Sequence, residues 1–160
     1  MKTDIVIRKA FDNDIPDLLP LMNQLGYPQT SETLRARFEV YSKQEDYGIF
    51  LAEKAGAIAG CVAWSKSHLF VSATTRLHIE GLVVDKEFRG NGIGRKLMKQ
   101  VEEFAQHISP CIIDLTSGLR REKDGSHDFY KSIGYHNEGY MAKLYLRKEI
   151  SKISNPITST

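Results

Sequence analysis

Leu82-Val83-Val84-Asp85-Lys86-Glu87-Phe88-Arg89-Gly90-Asn91-Gly92-Ile93-Gly94-Arg95-Lys96-Leu97 is the stretch that decides how the chain is read. An apolar β-type run passes through a glycine-rich turn straight into a pattern of period 3.6, with Leu97, Val101, Phe104, Ala105 and Ile108 on one face. Glycine tolerates positive φ and lets the backbone approach a ligand closely, and a helix start adds the positive end of its dipole. Several amide groups can therefore converge on one oxyanion here. Between Asp85 and Lys99, the basic residues Lys86, Arg89, Arg95, Lys96 and Lys99 outnumber Asp85 and Glu87 by three, while the whole chain carries a net charge of +2. The excess charge of the protein is concentrated at this one turn.

Upstream, Ile5 and Ile7 alternate with polar neighbours as a short strand, and Asp12 or Asn13 offers an N-cap ahead of Pro16 in a first helical turn. Ile15, Leu18, Leu19, Met22 and Leu25 recur at helical spacing until Gly26 and Pro28 stop the element. A second helix carries Leu34, Phe38 and Tyr41. Three β-type runs follow, Tyr47 to Glu53, Ala57 to Lys66 and Leu77 to Val84, and the short connection Lys54 to Gly56 suits a hairpin, so an antiparallel meander is expected. Downstream of the glycine turn and its helix, Cys111 to Leu115 reads as a buried strand, which makes the intervening helix a parallel crossover. A short helix from Ser126 carries Phe129 and Ile133 and ends at Gly134, and Met141 to Leu146 reads as a last strand. The expected class is α/β (α+β), with a mixed sheet.

The 160 residues correspond to one domain, expected over residues 1–150, with a polar tail over 151–160 that contains Pro156. Apolar (41%) and charged (26%) fractions are those of a globular chain with a real core. A net charge of +2 gives no bulk argument for a nucleic-acid or membrane partner. Met1 to Arg8 carries Lys2, Asp4 and Arg8 and no apolar core of a leader, and no apolar run approaches the roughly 18 residues that span a bilayer, so a cytoplasmic protein is expected. Cys61 and Cys111 lie in apolar runs without CxxC spacing or a nearby His pair, which indicates buried thiols rather than a disulfide or a metal site; no metal is expected. The same burial argues against a nucleophilic cysteine, and Asp114 and Ser117 lack a G-x-S-x-G elbow that would make a triad with a His.

Among phosphate loops, a Walker A site is excluded because no glycine here is followed by Lys and then Ser or Thr, and a dinucleotide fingerprint is excluded because Arg95 stands where its third glycine belongs. The segment Arg89-Gly90-Asn91-Gly92-Ile93-Gly94 matches R-x-x-G-x-G and resembles the pyrophosphate-binding loop of the GNAT superfamily of N-acetyltransferases. A second segment, Ser126-His127-Asp128-Phe129-Tyr130-Lys131-Ser132-Ile133-Gly134-Tyr135, is similar to that family's A-x-x-F-Y-x-x-x-G-F/Y motif, with Ser126 in place of the alanine, where it could instead act as an N-cap. The order of elements also matches, over about Ile5 to Arg147. The resemblance implies a GNAT-like fold, a twisted, mostly antiparallel mixed sheet with helices on both faces and a splayed parallel strand pair forming the coenzyme A groove.

The resemblance further implies acetyl-CoA as cofactor. Arg89, Gly90, Asn91, Gly92, Ile93 and Gly94 would offer backbone N–H groups to its pyrophosphate, with Arg95 and Lys96 adding charge, and Leu82, Val83 and Val84 would meet the pantetheine through their main chain. Arg120, Arg121 or Lys123 is available to the 3′-phosphate, though a solvated loop is the stronger reading of those three. An amine acceptor must lose a proton before it can attack, because an alkylammonium has no lone pair. Glu80 is the expected base: on a regular strand it shares a face with Leu82 and Val84. Its alternatives are plain exposure or pairing with Arg76 or His78, and His78 is the substitute base. The resemblance assigns the oxyanion donor to the N–H of Val84 or a neighbour, and the acid for the departing thiolate to Tyr130, whose other reading is a core-capping tyrosine. His127, on the same helical face, either orients Tyr130 or caps the helix.

The implied function is direct acetyl transfer in a ternary complex, from acetyl-CoA to an amine of a small molecule or peptide. The alternative is a noncatalytic sensor that binds coenzyme A without turnover. Acceptor contacts are expected from Leu25 to Thr30 and from Tyr140 and Tyr145. A homodimer stays open.

Overall fold

The strands and helices follow the apolar periodicities closely: β1 Ile5–Lys9, α1 Ile15–Leu25, α2 Ser31–Lys43, β2 Tyr47–Lys54, β3 Ala57–His68, β4 Thr75–Val84, α3 Ile93–His107, β5 Cys111–Leu115 and α4 Ser126–Ser132. The computed structural model describes residues 4–118 and 125–153. The chain divides into two units, one ending at Ser117 and one beginning at Gly118.

The first unit contains a mixed five-stranded sheet in the order β1-β2-β3-β4-β5. The first three pairings are antiparallel, and β4 pairs with β5 in parallel, with α3 as the crossover. Each face of this sheet is covered. Leu51, Cys61 and Val83 pack with Ile15, Leu18 and Leu21 of α1 and Leu34 and Phe38 of α2. On the opposite face, Trp64 stacks on Phe104 of α3 at 4.7 Å between ring centroids. A Cβ built on Gly60 would come within 3.3 Å of the Leu97 side chain and 2.8 Å of the Val83 carbonyl, so only glycine lets α3 settle this close to β3 and β4. Leu97, Met98 and Val101 are essentially fully buried there. Their removal from water is a main source of stability, at about 1.5–3 kcal/mol per large aliphatic side chain.

The start of α1 departs from the sequence reading. Neither Asp12 nor Asn13 caps it; residues Asp12–Asp14 form a 3-10 turn, and Asp14 is the residue that precedes the helix. Its carboxylate accepts the Phe11 N–H at 2.7 Å and both terminal nitrogens of Arg8 at 2.7 and 2.9 Å. Asp14 is the acid of this turn that is buried, and a bidentate guanidinium offsets the cost of that burial better than an exposed cap elsewhere.

In the second unit, α4 opens after Gly125, in the left-handed region at φ +82, so Ser126 is the first helical residue and not the N-cap. Gly134 closes it with φ +97. The expected strand from Met141 to Leu146 is not formed. Asn137 donates from Nδ2 to the Lys143 carbonyl at 2.9 Å and accepts the Lys143 N–H at 2.7 Å, so a side chain takes the backbone groups that a ladder would use. The Ala142 N–H is likewise taken by the Gly139 carbonyl. Among the described residues, no helix is long and apolar enough to cross a membrane.

Candidate active site

The turn between β4 and α3 takes its shape from the glycines the sequence singled out. Gly90 and Gly92 lie at φ +81 and +75, a region that costs an L-residue about 1–2 kcal/mol. Gly92 is the N-cap of α3, with no side chain capping the helix and no acidic residue in its first turn. The first intrahelical bond runs from the Lys96 N–H to the Gly92 carbonyl, which leaves the N–H groups of Ile93, Gly94 and Arg95 without a helical partner. Arg95 and Lys96 are exposed beside them.

Two side chains order the loop. Arg89 donates from Nε to the Val84 carbonyl at 3.1 Å, tying the turn back to the end of β4. Asn91 donates from Nδ2 to the carbonyls of Phe88 (2.8 Å) and Arg89 (3.4 Å), while its Oδ1 accepts from Lys54 Nζ at 3.0 Å. Lys54 ends β2 and is 37 residues away in sequence. Sequence reasoning did not find it, because nothing local links a hairpin lysine to this loop.

Beyond the turn, the β4–β5 pairing stops at Ile79 opposite Leu115, so among the described residues the β5-side backbone edge of 80–84 has no strand partner. An unpaired edge of this kind can take an extended amide chain. The residues present thus fit what the resemblance implies: uncapped helix donors with basic neighbours for a pyrophosphate, and an open strand edge through Leu82, Val83 and Val84 for pantetheine amides.

Glu80 is where the sequence reading needs correction. Trp64 pairs with Ile79, but its neighbour Ala63 pairs with Gly81, so β4 carries one extra residue, Glu80, at a β-bulge. The bulge reverses the alternation. Leu82 pairs with Val62 and Val84 with Gly60, on the α3 face. Glu80 instead accepts the Ser65 hydroxyl at 2.7 Å on the α1/α2 face, and a Cβ on neighbouring Gly81 would lie 3.2 Å from Leu25 of α1. Glu80 therefore does not share a face with Leu82 and Val84. Burial and, second, the Glu80 carboxylate push the Tyr41 phenol of α2 up to about 12.

His78 lies on this same face, in register with Asp114 of β5. Its Nδ1 is 2.7 Å from Asp114 Oδ1 and 2.9 Å from a terminal nitrogen of Arg76, whose Nε donates to Asp114 Oδ2 at 2.7 Å. A carboxylate only accepts and a guanidinium only donates, so Nδ1 can satisfy one of them at a time. With the proton on Nδ1 facing Asp114, the ring keeps its Nε2 lone pair. Arg76, which the sequence offered as a partner for Glu80, pairs with Asp114 instead, and Asp114 and Ser65 are polar partners that the sequence did not assign. Their grouping depends on strand register, which has no local signal.

In the second unit, Tyr130 is half-buried, its ring edge-on to Phe129 at 5.2 Å and to Tyr135 at 6.2 Å. His127 Nε2 lies 3.1 Å from the Gly118 carbonyl, to which it donates. Tyr140 and Tyr145 are exposed. Arg120, Arg121 and Lys123 fall outside the described residues. Cys61 is fully buried, and burial pushes its thiol up to about 12; Cys111 is half-buried rather than buried, its thiol also raised by desolvation.

Comparison with known proteins agrees with this geometry. An acetyltransferase (GNAT) family model matches residues 14–135. An uncharacterized N-acetyltransferase of Methanocaldococcus jannaschii is 28% identical over 148 residues, covering 88% of this chain and 64% of that protein, so the chain spans somewhat under two thirds of that relative's length. Glucosamine 6-phosphate N-acetyltransferase 1 of rice (Oryza sativa subsp. japonica) is 35% identical over 139 residues, covering 79% of this chain and 78% of that one. The crystal structure of a GNAT family acetyltransferase from Staphylococcus aureus superposes with a TM-score of 0.74 at 25% identity, covering 94% of this chain and all of that one. With its glycine turn ahead of α3 and a family match over most of its length, the chain belongs to the GNAT family of N-acetyltransferases.

Proposed function

We propose that the protein is an acetyl-CoA-dependent N-acetyltransferase that passes the acetyl group directly to the amine of a small polar molecule, with donor and acceptor bound together. The observation that carries this reading is the uncapped, acid-free start of α3 behind a basic glycine turn, continuous with the free backbone edge of residues 80–84. When bound, acetyl-CoA supplies the acetyl thioester. The turn from Arg89 to Gly94 grips its diphosphate, and Leu82, Val83 and Val84 align the pantetheine along β4. Glu80, exposed on the α1/α2 face, takes the proton of the acceptor ammonium, which carries no lone pair until it is lost. The N–H of Val84 or a neighbour donates to the oxygen that gains charge, and Tyr130 returns a proton to the departing thiolate.

A small amine is favoured over a peptide by two features. The face around Glu80 is crowded with polar and aromatic side chains, namely Ser65, His78, Asp114 and Tyr41, which suits a compact hydroxylated amine. The rice relative is named for glucosamine 6-phosphate, an amine of that chemistry.

The test presents acetyl-CoA with amino sugars, aminoglycosides, polyamines and peptide N-termini, and follows free thiol. Amine-dependent thiol release that falls about 10²-fold in Tyr130→Phe is expected, the usual worth of a positioned acid. Coenzyme A binding without thiol release on any amine would instead make the protein a sensor, and equal turnover by the Phe variant would remove Tyr130 from its role.

A further inference from the structure

We infer that Lys54 is a positioning residue for the diphosphate-binding turn, acting through Asn91. Asn91 uses both ends of its amide. Its Nδ2 holds the carbonyls of Phe88 and Arg89, and its Oδ1 is held by Lys54 Nζ at 3.0 Å. In a trans peptide the C=O and the following N–H point opposite ways. Turning the Phe88 and Arg89 carbonyls toward Asn91 therefore directs the N–H groups of Arg89 and Gly90 outward, where an anion can take them. Lys54 fixes the amide that does this turning, from the end of β2 just before the tight Ala55–Gly56 turn, where Ala55 itself sits at φ +53. Its ammonium also adds a cation from β2 to a turn whose own segment carries Lys86, Arg89, Arg95, Lys96 and Lys99.

This inference rests on the acetyl-CoA reading, and its test separates the two. Calorimetry with coenzyme A, which carries the diphosphate, is set beside acetyl transfer from S-acetylpantetheine, which lacks it. Lys54→Met is expected to weaken coenzyme A binding about fivefold, the scale of one exposed charged contact, with the deficit shrinking at high salt. Lys54→Arg is expected to recover most of the loss, and kcat/KM with S-acetylpantetheine is expected to stay within twofold of wild type. Unchanged coenzyme A affinity in Lys54→Met overturns the role of Lys54 alone. An equal loss with S-acetylpantetheine also overturns it, because the lysine would then merely support the groove. A wild-type protein that binds no coenzyme A overturns the acetyl-CoA reading and this inference with it.

Discussion

Ser65 donates its hydroxyl to Glu80 at 2.7 Å at the point where β4 carries one residue more than β3. The extra residue turns Glu80 onto the sheet face covered by α1 and α2, while Leu82 and Val84 stay on the α3 face. An acid on this face can meet an acceptor from one side of β4, and the strand's free backbone edge is left for an extended ligand. Glu80→Gln keeps the shape and the Ser65 contact but loses the base, so kcat is expected to drop by about 10²–10³-fold with an unchanged melting temperature. Ser65→Ala is expected to cost only a few-fold, since it removes a partner and not the carboxylate. Steady-state thiol release checks both, and a Glu80→Gln enzyme within threefold of wild type would shift the base to His78.

Arg89 is held to the Val84 carbonyl by Nε and sits at the entrance of the positive turn. Arg89→Glu both frees that carbonyl and places a negative charge where a polyanion should bind. Coenzyme A affinity is expected to fall at least tenfold, more steeply at low ionic strength than at high. Titration calorimetry at two salt concentrations reads this directly, and equal affinity would count against the loop as the diphosphate site.

The Arg8–Asp14 pair provides a pH test of stability. The Arg8 guanidinium, with the Phe11 N–H as a further donor, holds the Asp14 carboxyl below its ordinary value of 3.8. A carboxylate depressed in the folded state stabilises fully above its unfolded pKa, and that contribution disappears as pH falls through the folded value. Wild-type stability should therefore decline from about pH 5 downward as this group protonates. Asp14→Asn should lose about 1–3 kcal/mol at pH 7, because the Asp14 side chain is only 10% exposed and its loss leaves Arg8 with the longer 3.2 Å pair to Glu53 in place of a bidentate one. Its stability curve should be flatter below pH 5. Urea melts at pH 7, 5 and 3 compare the two proteins, and parallel curves would refute the linkage.

The thiols should be bystanders. Cys61 is buried and pushed up to about 12, and Cys111 is also raised, so neither offers much thiolate at neutral pH. In the native protein a disulfide reagent should leave Cys61 unmodified and react with Cys111 more slowly than with free cysteine. Cys111→Ser should retain turnover. A covalent acetyl group on either cysteine, found by mass spectrometry after incubation with acetyl-CoA, would contradict direct transfer.

Much of the molecule was legible from local pattern. The period-3.6 face around Leu97 and Val101, the meander from Tyr47 to Val84 and the stop at Gly134 each reflect a constraint within a few neighbours: side-chain direction, turn chemistry or permitted φ. The glycine turn belongs to the same class, since positive φ at Gly90 and Gly92 and an open helix start are written into consecutive residues. Asp14 escaped this reading because its choice between capping a helix and pairing with Arg8 is settled by burial. The segment after Tyr140 escaped it because alternating apolar residues state only a capacity for pairing, and Asn137 closes the backbone of Lys143 locally.

The sequence by itself determined the order of elements from β1 to α4 and the open, basic helix start at the glycine turn, because both arise from contiguous residues and their intrinsic conformational limits. Tertiary structure alone decided which way Glu80 faces, that His78 meets Asp114, and that Lys54 reaches Asn91. Those depend on strand register. A single extra residue at Glu80 inverts every later side chain of β4 relative to its earlier part, and no local propensity reports where in a strand that residue will be placed.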